Sequence, residues 1–356
     1  MILPATFESG LLLMILAFVC AGLWTSTFKA AKPYRYELYY LDFSLGALIF
    51  GAIAAFTLGS LRSNELTFSD NLLITGYRQM AYAFAAGVAF NIGNLLLMAG
   101  VSVGGIALCI PAAWGIALVI MATWDYIADL HMNAVLLFGG EVLLIVAIAV
   151  VAIAYFRNAS AVAEAAKKAF LADPRVKSSK RRARSAGAGS ALILSVIAGI
   201  VLGFSPRVAD LARLGENGIS PYGLVLLFTC GIFGSTLIFM PFMLAFPVAG
   251  TSTSIAEYFR AKGKNHLLGI LGGLLFGAST LAYYVVTGTL AAKLVGPDLV
   301  TGLAQAAPLL AILLGVFVWK EFSAVATSTM PLVWGGFCLY GIGVALIAFA
   351  PVYGAR

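Results

Sequence analysis

Val300 to Phe322, VTGLAQAAPLLAILLGVFVWKEF, is apolar for about twenty residues and ends in Lys320 and Glu321. At about 1.5 Å per residue it crosses a hydrocarbon core of roughly 30 Å, so it reads as a transmembrane helix with a buried Gln305 and an internal Pro308. The pattern recurs earlier. Val103, Gly105, Ala107 and Pro111 have the spacing of Val300, Gly302, Ala304 and Pro308, displaced by 197 positions, which predicts an internal duplication.

With 62% apolar and 10% charged residues and a mean hydropathy of +0.99, the chain has too little polar surface for one soluble core. Ten spans are expected: Ser9–Lys29, Tyr36–Gly59, Tyr77–Ala99, Val103–Thr123, Met132–Phe156, Gly189–Val208, Pro221–Pro247, His266–Ala292, Val300–Lys320 and Pro331–Pro351. The fold class is therefore all-α, a polytopic membrane protein. The N-terminus, MILPATFESG, carries no Lys or Arg and no clear cleavage site, so the first span is read as a retained helix.

The spans divide into a first five-helix repeat (1–156), a basic linker (157–188) and a second five-helix repeat (189–356). An odd number of spans per copy makes the second enter the bilayer from the opposite side, which predicts an inverted repeat with one solute site where the copies meet. The linker holds nine Lys/Arg against Glu164 and Asp173, a net +7 that equals the charge of the whole chain. Its first part, NASAVAEAAKKAFLAD, is expected to form a short helix capped by Asn158 or Ser160, and its second part to be disordered. Such a run marks the cytoplasmic side and attracts anionic lipid; without aromatic platforms it does not indicate nucleic-acid binding. Loops on the linker's side carry sixteen Lys/Arg against six on the other, which places both termini outside a cytoplasmic (inner) membrane.

Polar groups inside spans mark candidate sites. Asn91 and Asn94 share one face of the third span, to bond neighbouring helices near Gly87 or to contact a solute. Gln305 precedes Pro308 by one turn. Pro308 and Pro111 free the carbonyls of Ala304 and Ala107, either as plain kinks or to gate and line a cavity. Trp114, Tyr283 and Tyr284 are candidates to stack on a ring, while Trp24 and Trp319 suit an interfacial belt, Trp24 also serving as a candidate solute contact. Asp42 and Glu141 are candidate proton-coupling carboxylates, the alternative being a hydroxyl partner on a neighbouring helix. Lys29, Asp125, Lys320 and Glu321 are accounted for by snorkelling or end pairing. The small-residue stripe Gly269, Gly272, Gly273, Gly277 predicts close packing of the eighth span, with Gly46 and Gly51 doing less of the same. The four cysteines read as buried small hydrophobes. No metal site, cofactor or soluble-enzyme motif is expected, and no nucleotide-binding loop is present.

WTSTFK (Trp24–Lys29), GNL (Gly93–Leu95), FSP (Phe204–Pro206), HLLGILGG (His266–Gly273) and FVWKEF (Phe317–Phe322), set in two five-span halves, resemble the drug/metabolite transporter superfamily. Within it the likeness is to ureide permeases and glucose/rhamnose-type sugar transporters. The resemblance implies alternating-access transport of a small metabolite, often proton-coupled. The nucleotide-type motif in the central loop of plant ureide permeases is missing here, so no role of that motif carries over. Expected partners are a small-molecule substrate, the lipid bilayer and H+ or Na+, with the chain a monomer or homodimer. The leading expectation is a permease for a small neutral polar metabolite such as a sugar, ureide or nucleobase, the lack of an unpaired charge on the central spans arguing for neutrality. The rival expectations are an exporter of amphipathic compounds and a non-transporting membrane enzyme or scaffold.

Overall fold

In the computed structural model, residues 1–61, 66–128, 130–172, 187–248, 251–323 and 326–354 are described. Every regular element among them is helical: α1 (Phe7–Ala30), α2 (Tyr36–Phe56), α3 (Phe68–Ile74), α4 (Tyr77–Gly104), α5 (Ile106–Ala128), α6 (Ala134–Ala172), α7 (Ala188–Arg213), α8 (Pro221–Ala245), α9 (Ala256–Phe259), α10 (Gly263–Thr287), α11 (Ala291–Val295), α12 (Pro297–Leu313) and α13 (Ala326–Phe349). With the π-helical turn Leu314–Val318 that continues α12, ten of these are long and apolar enough to cross a membrane, matching the ten expected spans. The chain is a polytopic helical membrane protein.

The linker departs from expectation. Within Asn158–Ala172 no separate helix starts, because α6 continues unbroken through that stretch. No Gly or Pro interrupts Asn158–Ala172, and extending an existing helix through this Ala-rich stretch is easier than nucleating a new one. Asn158, instead of capping, donates to the Glu321 carbonyl at 2.8 Å. Of the linker's second part (residues 175–189), expected to be disordered, 175–186 lie outside the described residues, as do Arg62 and Arg356, while Ala188 and Gly189 open α7 instead.

Packing divides the chain into two compact units that do not follow the sequence halves. Unit 1 is Met1–Leu95 with Phe204–Ala307, and unit 2 is Leu96–Gly203 with Pro308–Arg356. Each therefore contains helices from both halves.

In unit 1, glycines set the helix crossings. Gly46 of α2 lies against the Ile270 carbonyl of α10, and Gly273 of α10 against the Phe43 carbonyl of α2. A second reciprocal pair joins α4 and α8, with Gly87 against the Phe228 carbonyl and Gly231 against the Phe84 carbonyl. At all four positions an added Cβ would overlap backbone, so these helices touch main chain to main chain. Gly46 thus contributes as much as the stripe on α10.

Unit 2 has its own core of Leu118, Leu137, Leu144, Tyr340 and Ile347. Its α6 and α13 cross where Gly140 and Gly343 each face the other's carbonyl oxygen, at 2.7 and 2.9 Å from an ideal Cβ. The α4–α5 break falls at Gly105, whose φ of +87° suits glycine. The Glu321 carboxylate fills the space a side chain there would need. Its oxygens accept from the Ile106 and Ala107 amides at 3.1 and 2.9 Å, capping α5 where the helix dipole favours a negative charge. Glu321 is thus a helix cap, beyond the end pairing expected of it. Pro111 and Pro308 both lie inside helices, as their pairing predicts, whereas Gly105 is a break and its counterpart Gly302 is mid-helix.

Candidate functional site

Unit 1 buries a network of amides and hydroxyls. Tyr40 on α2 donates to Asn91 Oδ1 at 2.8 Å and accepts from Asn94 Nδ2 at 2.9 Å. Asn91 Nδ2 reaches Ser235 Oγ at 2.8 Å and Thr236 Oγ1 at 3.1 Å on α8. Both hydroxyls also bond carbonyls one turn back on their own helix, those of Gly231 and Ile232, at 2.6 and 2.8 Å. The sequence placed Asn91 and Asn94 on one face of α4. Their 0% exposure leaves one atom, Asn94 Oδ1, buried and without a hydrogen-bond partner among the described residues. An orphan acceptor of this kind is costly and calls for an account.

Beside the network stands a set of rings. Phe43 lies 5.1 Å from Tyr40, 4.8 Å from Trp24 and 5.5 Å from Phe276, centroid to centroid; Phe90 stacks on Phe276 at 4.9 Å and approaches Phe228 at 5.4 Å. Trp24 is only 2% exposed, so the interfacial belt expected for it is replaced by a place in this ring set. Amide bonding to N–H and O–H groups beside flat apolar faces can recognise a small polar ring or a polyol.

The other sequence candidates lie elsewhere. Tyr283 and Tyr284 meet edge-to-face at 5.3 Å, with the Arg213 guanidinium over Tyr284 at 5.8 Å. They stand about 11 Å further along α10 than Phe276, by helical rise. Tyr283 packs on a cluster that includes Met14, Val286 and Val300, as do Leu303 and Ala304 just before Gln305, which is half-buried. Trp114 and Glu141 belong to unit 2, where Thr123 donates to Glu141 at 2.8 Å, a hydroxyl partner of the kind weighed from sequence.

Asp42 is more elaborately held. Tyr258 of α9 donates to its Oδ1 at 2.6 Å and Tyr34 to its Oδ2 at 3.1 Å, and His266 Nδ1 lies 3.0 to 3.1 Å from both oxygens. Burial and the neighbouring Asp42 push the Tyr34 phenol upward, and burial with the Asp42 hydrogen bond does the same for Tyr258, so both remain protonated donors. Tyr40, Ser235, Thr236, His266 and Tyr258 were not singled out from sequence in these roles. A buried carboxylate on α2 demands partners, and His266, at the same end of the eighth span by alternation, was the available signal.

Bonded amides and rings buried among membrane-spanning helices are what a solute-handling membrane protein needs, and the comparisons agree with that class. A sequence model of the ureide permease family matches residues 39–187. The chain is 28% identical to Ureide permease 3 of Arabidopsis thaliana over 138 residues, covering 38% of this chain and 40% of that protein. Ureide permease 1 of the same plant is 27% identical over 138 residues, 35% of its length. Ureide permease 4, also from that plant, aligns over 94% of this chain and 95% of its own length at 23% identity.

Proposed function

We propose that this chain is a secondary carrier for a small, neutral, polar metabolite, a ureide, nucleobase or sugar, moved by alternating access with uptake the favoured direction. The observation that carries the proposal is the Tyr40–Asn91–Asn94–Ser235–Thr236 network. It joins α2 and α4 from one sequence half to α8 from the other, and it holds an unpartnered acceptor beside a ring set. Likeness to ureide permeases over most of the chain supports the same class.

In this reading the two halves are inverted copies. The matching glycine crossings α2–α10 and α4–α8 support it, since each pairs the second span of one copy with the third of the other. The network is closed to solvent, so a solute enters when α2, α4 and α8 part and Asn94 Oδ1 accepts one of its N–H or O–H groups. Asp42 or Glu141 carries the coupling proton.

Proteoliposomes or cells containing the chain should take up labelled allantoin, purines or sugars with saturation, and Asn94→Ala should raise KM about tenfold, the worth of one buried hydrogen bond. The reading fails if none of these solutes shows saturable uptake while lipophilic cations are expelled.

A further inference from the structure

At one end of unit 1, where α1 stops and α2 and α10 begin, lies a cavity of about 470 Å³. Five cationic side chains line it, Lys32, Arg35, Arg260, Lys262 and Lys264, against one carboxylate, Glu257. Arg260 pairs with Glu257 at 3.1 Å, and Arg35 with Glu37 at 2.8 Å. Lys262 and Lys264 make no ion pair among the described residues, and both are exposed. The start of α10 opens here too. Its N-cap is Lys262, no side chain caps it, and its first turn has no acidic residue, so the amide end of a 25-residue helix is left for an anion.

An independent feature says which anion. The connection between α8 and α10 is studded with exposed apolar side chains: Phe246 at 81%, Phe259 at 79%, and Val248 and Ile255. Connections in water are polar, whereas rings and aliphatic groups beside lysines are the composition of a segment lying in the headgroup layer. Because the cavity sits at the ends of three helices, each a full span, it is level with that layer.

We infer that this cavity is a binding site for the phosphate of an anionic membrane lipid, with Phe246 and Phe259 seated at the headgroup–acyl boundary beside it. Lys262, Lys264 and the open start of α10 hold the phosphate, and the acyl chains pass down the outside of the bundle. Tyr34 lines the cavity and also donates to Asp42, so an occupied site stiffens the loop that closes over that carboxylate. The inference needs only a membrane protein and is independent of what the chain carries.

Native mass spectrometry of the detergent-solubilised full chain, titrated with phosphatidylglycerol or phosphatidylcholine, tests it. Phosphatidylglycerol should be retained in preference to phosphatidylcholine. The double variant Lys262→Gln/Lys264→Gln should bind it about 25-fold more weakly, at about fivefold per lysine, while Lys293→Gln on α11 leaves binding unchanged. Circular dichroism of the double variant should match the parent, both lysines being exposed. Equal retention of the two lipids, equal retention by parent and double variant, or displacement of the lipid by inorganic phosphate at matching concentration would each overturn the inference.

Discussion

Replacing Gly273 by alanine tests one of the close helix crossings in unit 1. The new Cβ would overlap the Phe43 carbonyl and lie 2.5 Å from the Ala47 nitrogen, and both obstacles are main chain, so no rotamer change relieves them. α2 and α10 would have to separate by about 1 Å, which forfeits a quarter to a half of the dispersion energy at the crossing. With on the order of 20 atom pairs at ~0.15 kcal/mol each, that loss is about 1 kcal/mol. Overpacking strain adds about 2 kcal/mol, and alanine's better helix propensity returns about 1 kcal/mol. The net cost is about 2 kcal/mol, a fall in Tm on the order of 5 °C for a unit of this size. Gly46→Ala, Gly87→Ala and Gly231→Ala should cost the same, because each also meets a facing carbonyl. Gly139→Ala and Gly335→Ala, where nothing lies within 4 Å, should be neutral or slightly stabilising. Thermal unfolding of the purified variants in one detergent, followed by helical circular dichroism, gives the comparison. If Gly87→Ala and Gly231→Ala melt like the parent while Gly46→Ala and Gly273→Ala do not, the two crossings are not equivalent and the argument for matching halves is lost.

Three further outcomes are expected. Tyr40→Phe removes two bonds from the buried network and should lower stability by about 1 kcal/mol, the modest value typical of interhelical bonds in membranes, while raising KM for the carried solute; an unchanged KM in uptake assays would detach Tyr40 from the site. Glu321→Ala uncaps α5 and should cost about 2 kcal/mol, and Glu321→Gln, which keeps an acceptor but not the charge, about half that; denaturant unfolding showing no loss would remove Glu321 from its cap. If Asp42 carries the coupling proton, Asp42→Asn should abolish acceleration of uptake by an inward proton gradient while solute exchange across the membrane persists; should acceleration survive there and vanish in Glu141→Gln, the role passes to Glu141.

The spans were legible because twenty apolar residues in a row have few other uses, and, apart from the end of the fifth span, the helix ends fell within a few residues of the sequence reading. The face shared by Asn91 and Asn94 was legible from helical spacing. What they bond was not, since Ser235 and Thr236 lie far along the chain and one Ser or Thr in a span looks like another. Gly273 announced close packing without naming its partner. The Asp42 cluster was hidden for a related reason: Tyr34 and Tyr258 come from connections whose course depends on tertiary packing, and a histidine at the start of a span does not say which carboxylate it meets. The run-on of α6 past Phe156 was missed because charge marked a boundary there that helix propensity ignores.

The claim that a solute docks on Asn94 beside the ring set is tested most directly by equilibrium binding of the labelled solute that cells take up, measured on purified parent and Asn94→Ala protein. Binding by the parent and a roughly tenfold weaker Kd in the variant is the predicted result. Equal affinity in the two proteins, with the variant folded, would place the solute somewhere else.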